Sequence, residues 1–336
     1  MLKKYLITGA AGFIASNFVH YLYRNHQDIA VTVLDKMTYA GHPMTVSELK
    51  QYPHFTFVQG DINDPVIVKQ VMQDVNVVVN FAAESAVDRS IADPDSFLKT
   101  DVLGVFTLLQ EARNLKNLKR FIQISTDEVY GQILEGSFKE TSELRPRNPY
   151  AASKLGGDRL AYSFFVTYGL PVIVTRASNN YGPRAFLEKL IPLFINNLLE
   201  GQQVPVYGEG QQIRDWLFVD DHCSGIDLLI ERGVSGELYN IGGEQELPNI
   251  AITRKLIALM GKDESSIKYV QDRPGHDFRY SIDCSKLKGL GWKQKYNVEE
   301  GLAKTVAWYK DNPEWIKKAK EKMDSRYYTG FWGDKK

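Results

Sequence analysis

The chain has 336 residues, 43% of them apolar and 24% charged, enough for one large domain or two smaller ones with ample core. Lys plus Arg and Asp plus Glu each number 41, so the formal net charge is zero, which argues against a nucleic-acid or anionic-membrane partner held by bulk charge. No apolar stretch reaches the roughly 20 residues of a membrane span. The two cysteines, Cys223 and Cys284, are too few for a disulfide framework, and the six histidines show no metal-ligand spacing, so a reduced, cytoplasmic setting without a metal is expected.

The first half alternates short apolar runs with helical patterns, the signature of a parallel sheet covered by helices. Lys4–Thr8 reads as the first strand rather than a leader peptide, because Gly9 and Gly12 interrupt it and no cleavage site follows. It runs into Gly9-Ala-Ala-Gly12-Phe13-Ile14-Ala15 and a helix over Phe13–Asn25. Glycines there permit a tight turn and let backbone N–H groups approach a pyrophosphate, which the helix N-terminus also favours. The second strand, Val31–Asp35, ends on a carboxylate 35 − 12 = 23 residues after Gly12. That is near the spacing of about 20 at which an acid holds the ribose hydroxyls of NAD and repels the 2′-phosphate of NADP. Lys36 and Thr38 follow it.

The third strand, Phe55–Gln59, leads to Asp61-Ile62, placed to flank an adenine, and to a helix over Pro65–Asp74 with Asp64 as N-cap. Val75–Phe81 is the fourth strand and Ser96–Asn114 the next helix. The fifth strand, Arg120–Ser125, is followed by Thr126-Asp127-Glu128. Neighbours on a strand point to opposite faces, so both acids reach one ligand only where the strand gives way to a loop. Two carboxyls in one closed site cannot both ionise easily, which suits Asp127 as an acid and Glu128 as a base.

A helix over Tyr150–Tyr168 places Tyr150 and Lys154 on one face. The Lys154 ammonium is expected to lower the phenol's pKa, making Tyr150 a base for an alcohol, with Thr126 hydrogen-bonding the same hydroxyl. After the sixth strand, Pro171–Arg176, loops lengthen and fill with Gly, Asn and Pro. The fold expected is α/β: a Rossmann-type doubly wound parallel sheet over residues 1–180 and a smaller C-terminal substrate-binding lobe over 181–336. The boundary is soft, with segments crossing between lobes.

With these residues in hand the chain resembles the nucleotide-diphosphate-hexose 4,6-dehydratases of the extended short-chain dehydrogenase/reductase family. The motifs are Val33-Leu-Asp-Lys-Met-Thr-Tyr-Ala-Gly41, Phe81-Ala-Ala-Glu-Ser85, Val87-Asp-Arg-Ser90, Ser125-Thr-Asp-Glu-Val-Tyr-Gly131, Ser178-Asn-Asn-Tyr-Gly-Pro183, Glu188-Lys-Leu-Ile-Pro192, Arg214-Asp-Trp-Leu217 and Asp272-Arg-Pro-Gly-His-Asp277. The resemblance implies bound NAD, a nucleotide-sugar substrate (dTDP-glucose, with UDP-glucose as the alternative) and a homodimer built on the helices around 96–114 and 150–168. It also implies that Thr126 positions the hexose, Asp127 donates a proton, and Glu128 and Tyr150 accept one. Ala82, Ala83, Glu84, Ser85 and Thr100 would line the cofactor, with Asn180 near the nicotinamide. Ser85, Asn179, Lys189, Leu190, Arg214, Asn249, Arg273 and His276 would hold the substrate, with Val206 and Tyr207 against the base. Departures from the family pattern are Ala86 for a usual His, Asp101 where Asn commonly follows Thr, Ala177 for a frequent Cys, and Arg184-Ala185-Phe186-Leu187. An epimerase of the same superfamily has no need of the acid pair, and a non-catalytic NAD-binding scaffold has no need of Tyr150 and Lys154.

Overall fold

The structure is a computed structural model that describes residues 2–272 and 276–323. Its first half runs β1 (Lys3–Thr8), α1 (Phe13–Asn25), β2 (Ile29–Asp35), α2 (Pro43–Leu49), β3 (Phe55–Gln59), α3 (Pro65–Val71), β4 (Val77–Asn80), α4 (Val87–Ala92), α5 (Pro94–Leu98), α6 (Val105–Ala112), β5 (Arg120–Thr126), α7 (Pro149–Tyr168) and β6 (Val172–Ala177). The second half adds β7 (Asn179–Tyr181), α8 (Leu190–Leu199), β8 (Val204–Tyr207), β9 (Ile213–Phe218), α9 (Val219–Arg232), β10 (Leu238–Ile241), β11 (Glu246–Pro248), α10 (Asn249–Leu259), β12 (Ile267–Val270), α11 (Ser285–Gly289), α12 (Val298–Asp311) and α13 (Pro313–Glu321).

Seven parallel strands form the central sheet in the order β10-β6-β5-β4-β1-β2-β3. Strand order reverses between β1 and β4, which opens a crevice at their carboxyl ends where ligands of such sheets bind. The inner strand β4 is buried on both faces, as its unbroken Val77-Val-Val79 requires, whereas the edge strand β3 is partly exposed. On one face Phe18, Val19 and Leu22 of α1 meet Ile226, Leu229 and Ile230 of α9. On the other, Val68 of α3 packs with Leu108 and Leu109 of α6 and Phe164 of α7. A separate core joins α8, α10, α12 and α13 through Phe194, Leu256, Leu302 and Trp315. That core belongs to the second lobe, with its own small sheets β11-β9-β7 and β12-β8.

Three expected elements need correction. The helix expected over Pro65–Asp74 stops at Val71, because Asp74 takes φ 58°, outside helical space. The strand expected over Val75–Phe81 contracts to Val77–Asn80. Most informative, the single helix expected over Ser96–Asn114 is three pieces, with a π-helical turn over Lys99–Gly104 between α5 and α6. The neighbouring helix accommodates it: a Cβ at Gly157 of α7 would sit 2.3 Å from Asp101 O, so the widened turn packs against α7 only because Gly157 is bare. The N-cap of α3 is as read: Asp64 Oδ1 accepts from Val66 N at 2.9 Å and from Ile67 N at 3.3 Å.

Candidate active site

All the residues assigned to the cofactor line one cleft, from Gly9, Gly12, Phe13, Ile14, Asp35, Lys36, Thr38, Asp61 and Ile62 to Ala82–Ser85, Thr100, Tyr150, Lys154 and Asn180. Gly9 takes φ 75°, and a Cβ there would lie 2.9 Å from Ala82 N, so the two loops close only around glycine. Helix α1 starts at Gly12 with no side-chain cap, which leaves its first N–H groups for an anion. Asp35 ties the site together: Oδ2 accepts from Ala11 N at 2.8 Å and Oδ1 from Met37 N at 2.7 Å. Burial pushes its carboxyl up, against those two N–H groups. Lys36 is paired with Asp61 at 2.7 Å. Burial opposes ionisation of Asp61, but the Lys36 ammonium and the Asn63 N–H groups outweigh it and hold the carboxyl below its usual range. An uncapped helix N-terminus, a glycine cradle and a carboxylate at the end of β2 fit a dinucleotide such as NAD.

Strand β5 ends at Thr126, whose Oγ1 accepts from Glu128 N at 3.3 Å and caps one 3₁₀ turn over Asp127–Tyr130. The turn ends at Gly131 (φ 83°), where a Cβ would meet Arg145 O at 2.6 Å. This turn breaks the strand's alternation, and so Asp127 and Glu128 line the same cleft as Tyr150 and Lys154. Asp127 is 4% exposed; Oδ1 accepts from Thr126 Oγ1 at 3.2 Å, and Oδ2 has no partner among the described residues. Burial first, then Glu128 and Asp215, push its carboxyl well above the usual range, which suits it to hold a proton. Glu128 Oε2 accepts from Asn148 Nδ2 at 3.3 Å, while Asn148 Oδ1 caps α7 by accepting from Ala151 N at 2.8 Å.

Whatever Lys154 contributes, it does not outweigh burial at Tyr150. Burial raises the phenol well above its ordinary value, Glu128 and Asp101 raise it further, and the Thr126 hydrogen bond lowers it. The Lys154 ammonium donates to Ile124 O at 2.8 Å. Burial lowers its own pKa, against the pull of Asp101 and Asp158. Without a ligand the phenol keeps its proton.

Sequence reasoning noted Asp101 only as a departure, yet it sits beneath the site at 2% exposure. It accepts from Glu84 N at 3.1 Å and from Ser153 Oγ at 2.7 Å. Burial raises it to about 6 despite Lys154, and burial together with Asp101 raises Glu84 to about 7. Glu188 and His222 also line the cleft and were missed. Burial drives the His222 imidazole down to about 3, and its Nδ1 lies 2.9 Å from Asn180 Oδ1, which orients that amide. Glu188 was legible as the neighbour of Lys189; His222, at the start of α9, carried no signal.

The residues expected at the substrate divide in two. Ser85, Thr126, Asn179 and Lys189 line the cleft, Lys189 Nζ donating to Ser85 O at 2.7 Å. Leu190 opens α8 beside Lys189. Tyr207, Arg214, Asn249 and His276 belong to the second lobe. There the Tyr207 ring stands edge-on to His276, His276 Nδ1 lies 2.7 Å from Asp272, and Asn249 N donates to Gln212 O at 3.0 Å. Arg214 directs its guanidinium to the carbonyls of Ile213, Asp277 and Phe278 and lies 4.5 Å from the Tyr280 ring. Val206 is corrected: at 2% exposure its side chain belongs to the second core, which leaves only its backbone for a ligand. Arg273 and the aromatic tail with Tyr327, Tyr328, Phe331 and Trp332 lie outside the described residues.

The description "GDP-mannose 4,6 dehydratase" matches residues 6–305. The chain belongs to that family. Within it, as a member of the extended short-chain dehydrogenase/reductases, it is 47% identical to the dTDP-glucose 4,6-dehydratase of Xanthomonas campestris pv. campestris, over 94% of this chain and 95% of that one. It is equally 47% identical to the low-salt glycan biosynthesis protein Agl12 of Haloferax volcanii, over 92% and 99%. The crystal structure of the dTDP-glucose 4,6-dehydratase DesIV from Streptomyces venezuelae, with NAD and dTDP bound, superposes with a TM-score of 0.90 at 46% identity, covering 94% of this chain and 99% of that one. The GDP-mannose 4,6 dehydratase family thus spans both lobes of the fold.

Proposed function

We propose that this chain is an NAD-dependent dTDP-glucose 4,6-dehydratase, converting dTDP-glucose to dTDP-4-keto-6-deoxyglucose. The observation that carries the reading is the 3₁₀ turn that brings Asp127 and Glu128 into one cleft with Tyr150. When bound, NAD supplies a positively charged nicotinamide and the hydride relay that oxidises C4 and later returns the electron pair to C6. Tyr150, hydrogen-bonded to Thr126, would take the proton of the C4 hydroxyl as a phenolate, its own proton having been released to solvent beside the bound, positively charged nicotinamide. Lys154, anchored on Ile124 O, stands four residues along the same helix to hold the nicotinamide ribose. Once C4 is a ketone its C5–H is acidic, and Glu128, steadied by Asn148, removes that proton. Asp127 gives its proton to the C6 hydroxyl as the C6–O bond breaks, so one water leaves and C5=C6 forms. With C6 reduced, C5 regains a proton from Glu128. Water is lost and there is no net oxidation.

Residues 1–180 form the cofactor half in this reading, with α9 and β10 returning to it from the lobe that takes the nucleotide. Exposed apolar side chains on the helices between 87 and 168, among them Leu98, Leu103, Phe106, Tyr162 and Val166, support a homodimer through that face. Two unbridged, buried cysteines support a cytoplasmic setting. Incubation with dTDP-glucose and UDP-glucose in parallel, followed by mass spectrometry for loss of one water, tests the activity. Dehydration of dTDP-glucose is expected. An epimerised product of unchanged mass overturns the reading.

A further inference from the structure

The loop that follows Asp35 and carries Lys36 and Thr38 is fastened from outside by α13, the last helix among the described residues. Lys322, one residue beyond α13, donates from Nζ to Thr38 O at 3.0 Å and also to Gly41 O. The Asp35 carboxylate that it faces is steadied by this ammonium. There is no slack at Gly41, where a Cβ would lie 3.0 Å from Met37 Cα and 3.4 Å from Asp35 Oδ1.

A second tie lies one residue further on. The Trp315 ring of α13 stacks on His42 at 4.3 Å and 18°, and Trp315 O accepts from His42 Nε2 at 3.1 Å. Its indole donates to Thr45 Oγ1 at 3.3 Å. His42 N in turn donates to Ala11 O at 2.9 Å, and Ala11 N donates to Asp35 Oδ2. The C-terminal helix, the loop over 37–42, the glycine turn and Asp35 therefore form one closed circuit of contacts.

We propose that Lys322 is a cofactor-retention residue, which fixes the loop bearing Asp35 by holding its carbonyls and so sets how tightly the adenosine half of NAD is kept. The inference rests on the dinucleotide reading of the cleft but goes beyond it, to a residue about 290 positions away in sequence from the motif it serves. Lys322 is half-buried at the edge of the loop and makes no contact with the reacting centre, so it acts through position alone.

The test is calorimetric titration of the full chain, freed of endogenous nucleotide, with NAD and with ADP-ribose, for the parent, Lys322→Met and Lys322→Arg. A lost pair of charge-assisted hydrogen bonds predicts a Kd for Lys322→Met raised about tenfold or more, equally for both ligands. Recovery in Lys322→Arg and an unchanged Tm for the ligand-free protein are expected alongside. A Kd within about twofold of a parent that does bind NAD overturns the proposal, and so does a loss of affinity that merely tracks a fall in Tm. A parent that binds neither ligand overturns the dinucleotide reading itself, and this proposal with it.

Discussion

Ser153 has one hydroxyl proton and two acceptors claiming it, Asp101 Oδ2 at 2.7 Å and Tyr150 O at 2.8 Å. A protonated Asp101 resolves the conflict by donating to Ser153 Oγ, which then donates to Tyr150 O. Burial, against Lys154 and the Ser153 hydrogen bond, raises this carboxyl from 3.8 to about 6. A raised carboxyl favours the folded state only while it is protonated. Its cost therefore grows as pH rises above the unfolded value and is complete above about 6, worth on the order of 3 kcal/mol. Asp101→Asn should accordingly raise Tm more at pH 8 than at pH 4, where both side chains are neutral; scanning calorimetry at the two values checks this, and an equal shift at both contradicts it. Glu128→Gln belongs to the same scale. Overall turnover should fall about 10²- to 10⁴-fold, while single-turnover absorbance still reports oxidation at C4. Thr126, Asp127, Glu128, Tyr150 and Lys154 were legible in sequence because each stands in a short local pattern. Asp101 and His222 were not read as site residues, because tertiary contacts bring them to Ser153 and Asn180 from other elements.

Asn148 shows how one residue ends an element and furnishes a site at once. Its Oδ1 caps α7, with Pro149 at the first helical position, while its Nδ2 reaches Glu128. Serine can cap but is too short for the second task. Asn148→Ser should keep Tm close to the parent's and lower turnover, whereas Asn148→Ala should lose about 1 kcal/mol of stability as well; urea melts and steady-state rates on both variants separate the two roles. Elements with strong local signals, such as Phe13–Asn25 and Phe55–Gln59, are legible to the residue. The π turn over Lys99–Gly104 is not, since Lys-Thr-Asp-Val-Leu-Gly keeps an ordinary helical pattern. The widened turn lies against the bare face of Gly157, a contact invisible until α7 is packed alongside.

At the scale of the molecule, the face made by α4–α7 is its largest concentration of exposed apolar side chains among those named, with Val166 63% and Leu103 55% exposed. A homodimer through that face predicts that Val166→Glu with Leu103→Asp gives a monomer by light scattering, folded by circular dichroism. The change of rhythm after Arg176 coincides with the start of the small sheets β11-β9-β7 and β12-β8 and of the separate core around Phe194 and Leu302. The route of the chain was less legible, because Leu238–Ile241 is a short apolar run with no partner nearby in sequence. It crosses back to lie beside β6 as the edge of the seven-stranded sheet, and α9 covers α1 on the way.

That return has a consequence for biosynthesis. The ribosome releases the glycine turn, the acid pair and the Tyr150 helix long before it releases the strand that closes their sheet. Until about residue 232 has emerged, Phe18 and Leu22 lack the helix that packs on them, and until about residue 241 β6 presents an open edge. The nascent first half is therefore expected to expose apolar surface on the ribosome, and its sheet to be completed only late in translation.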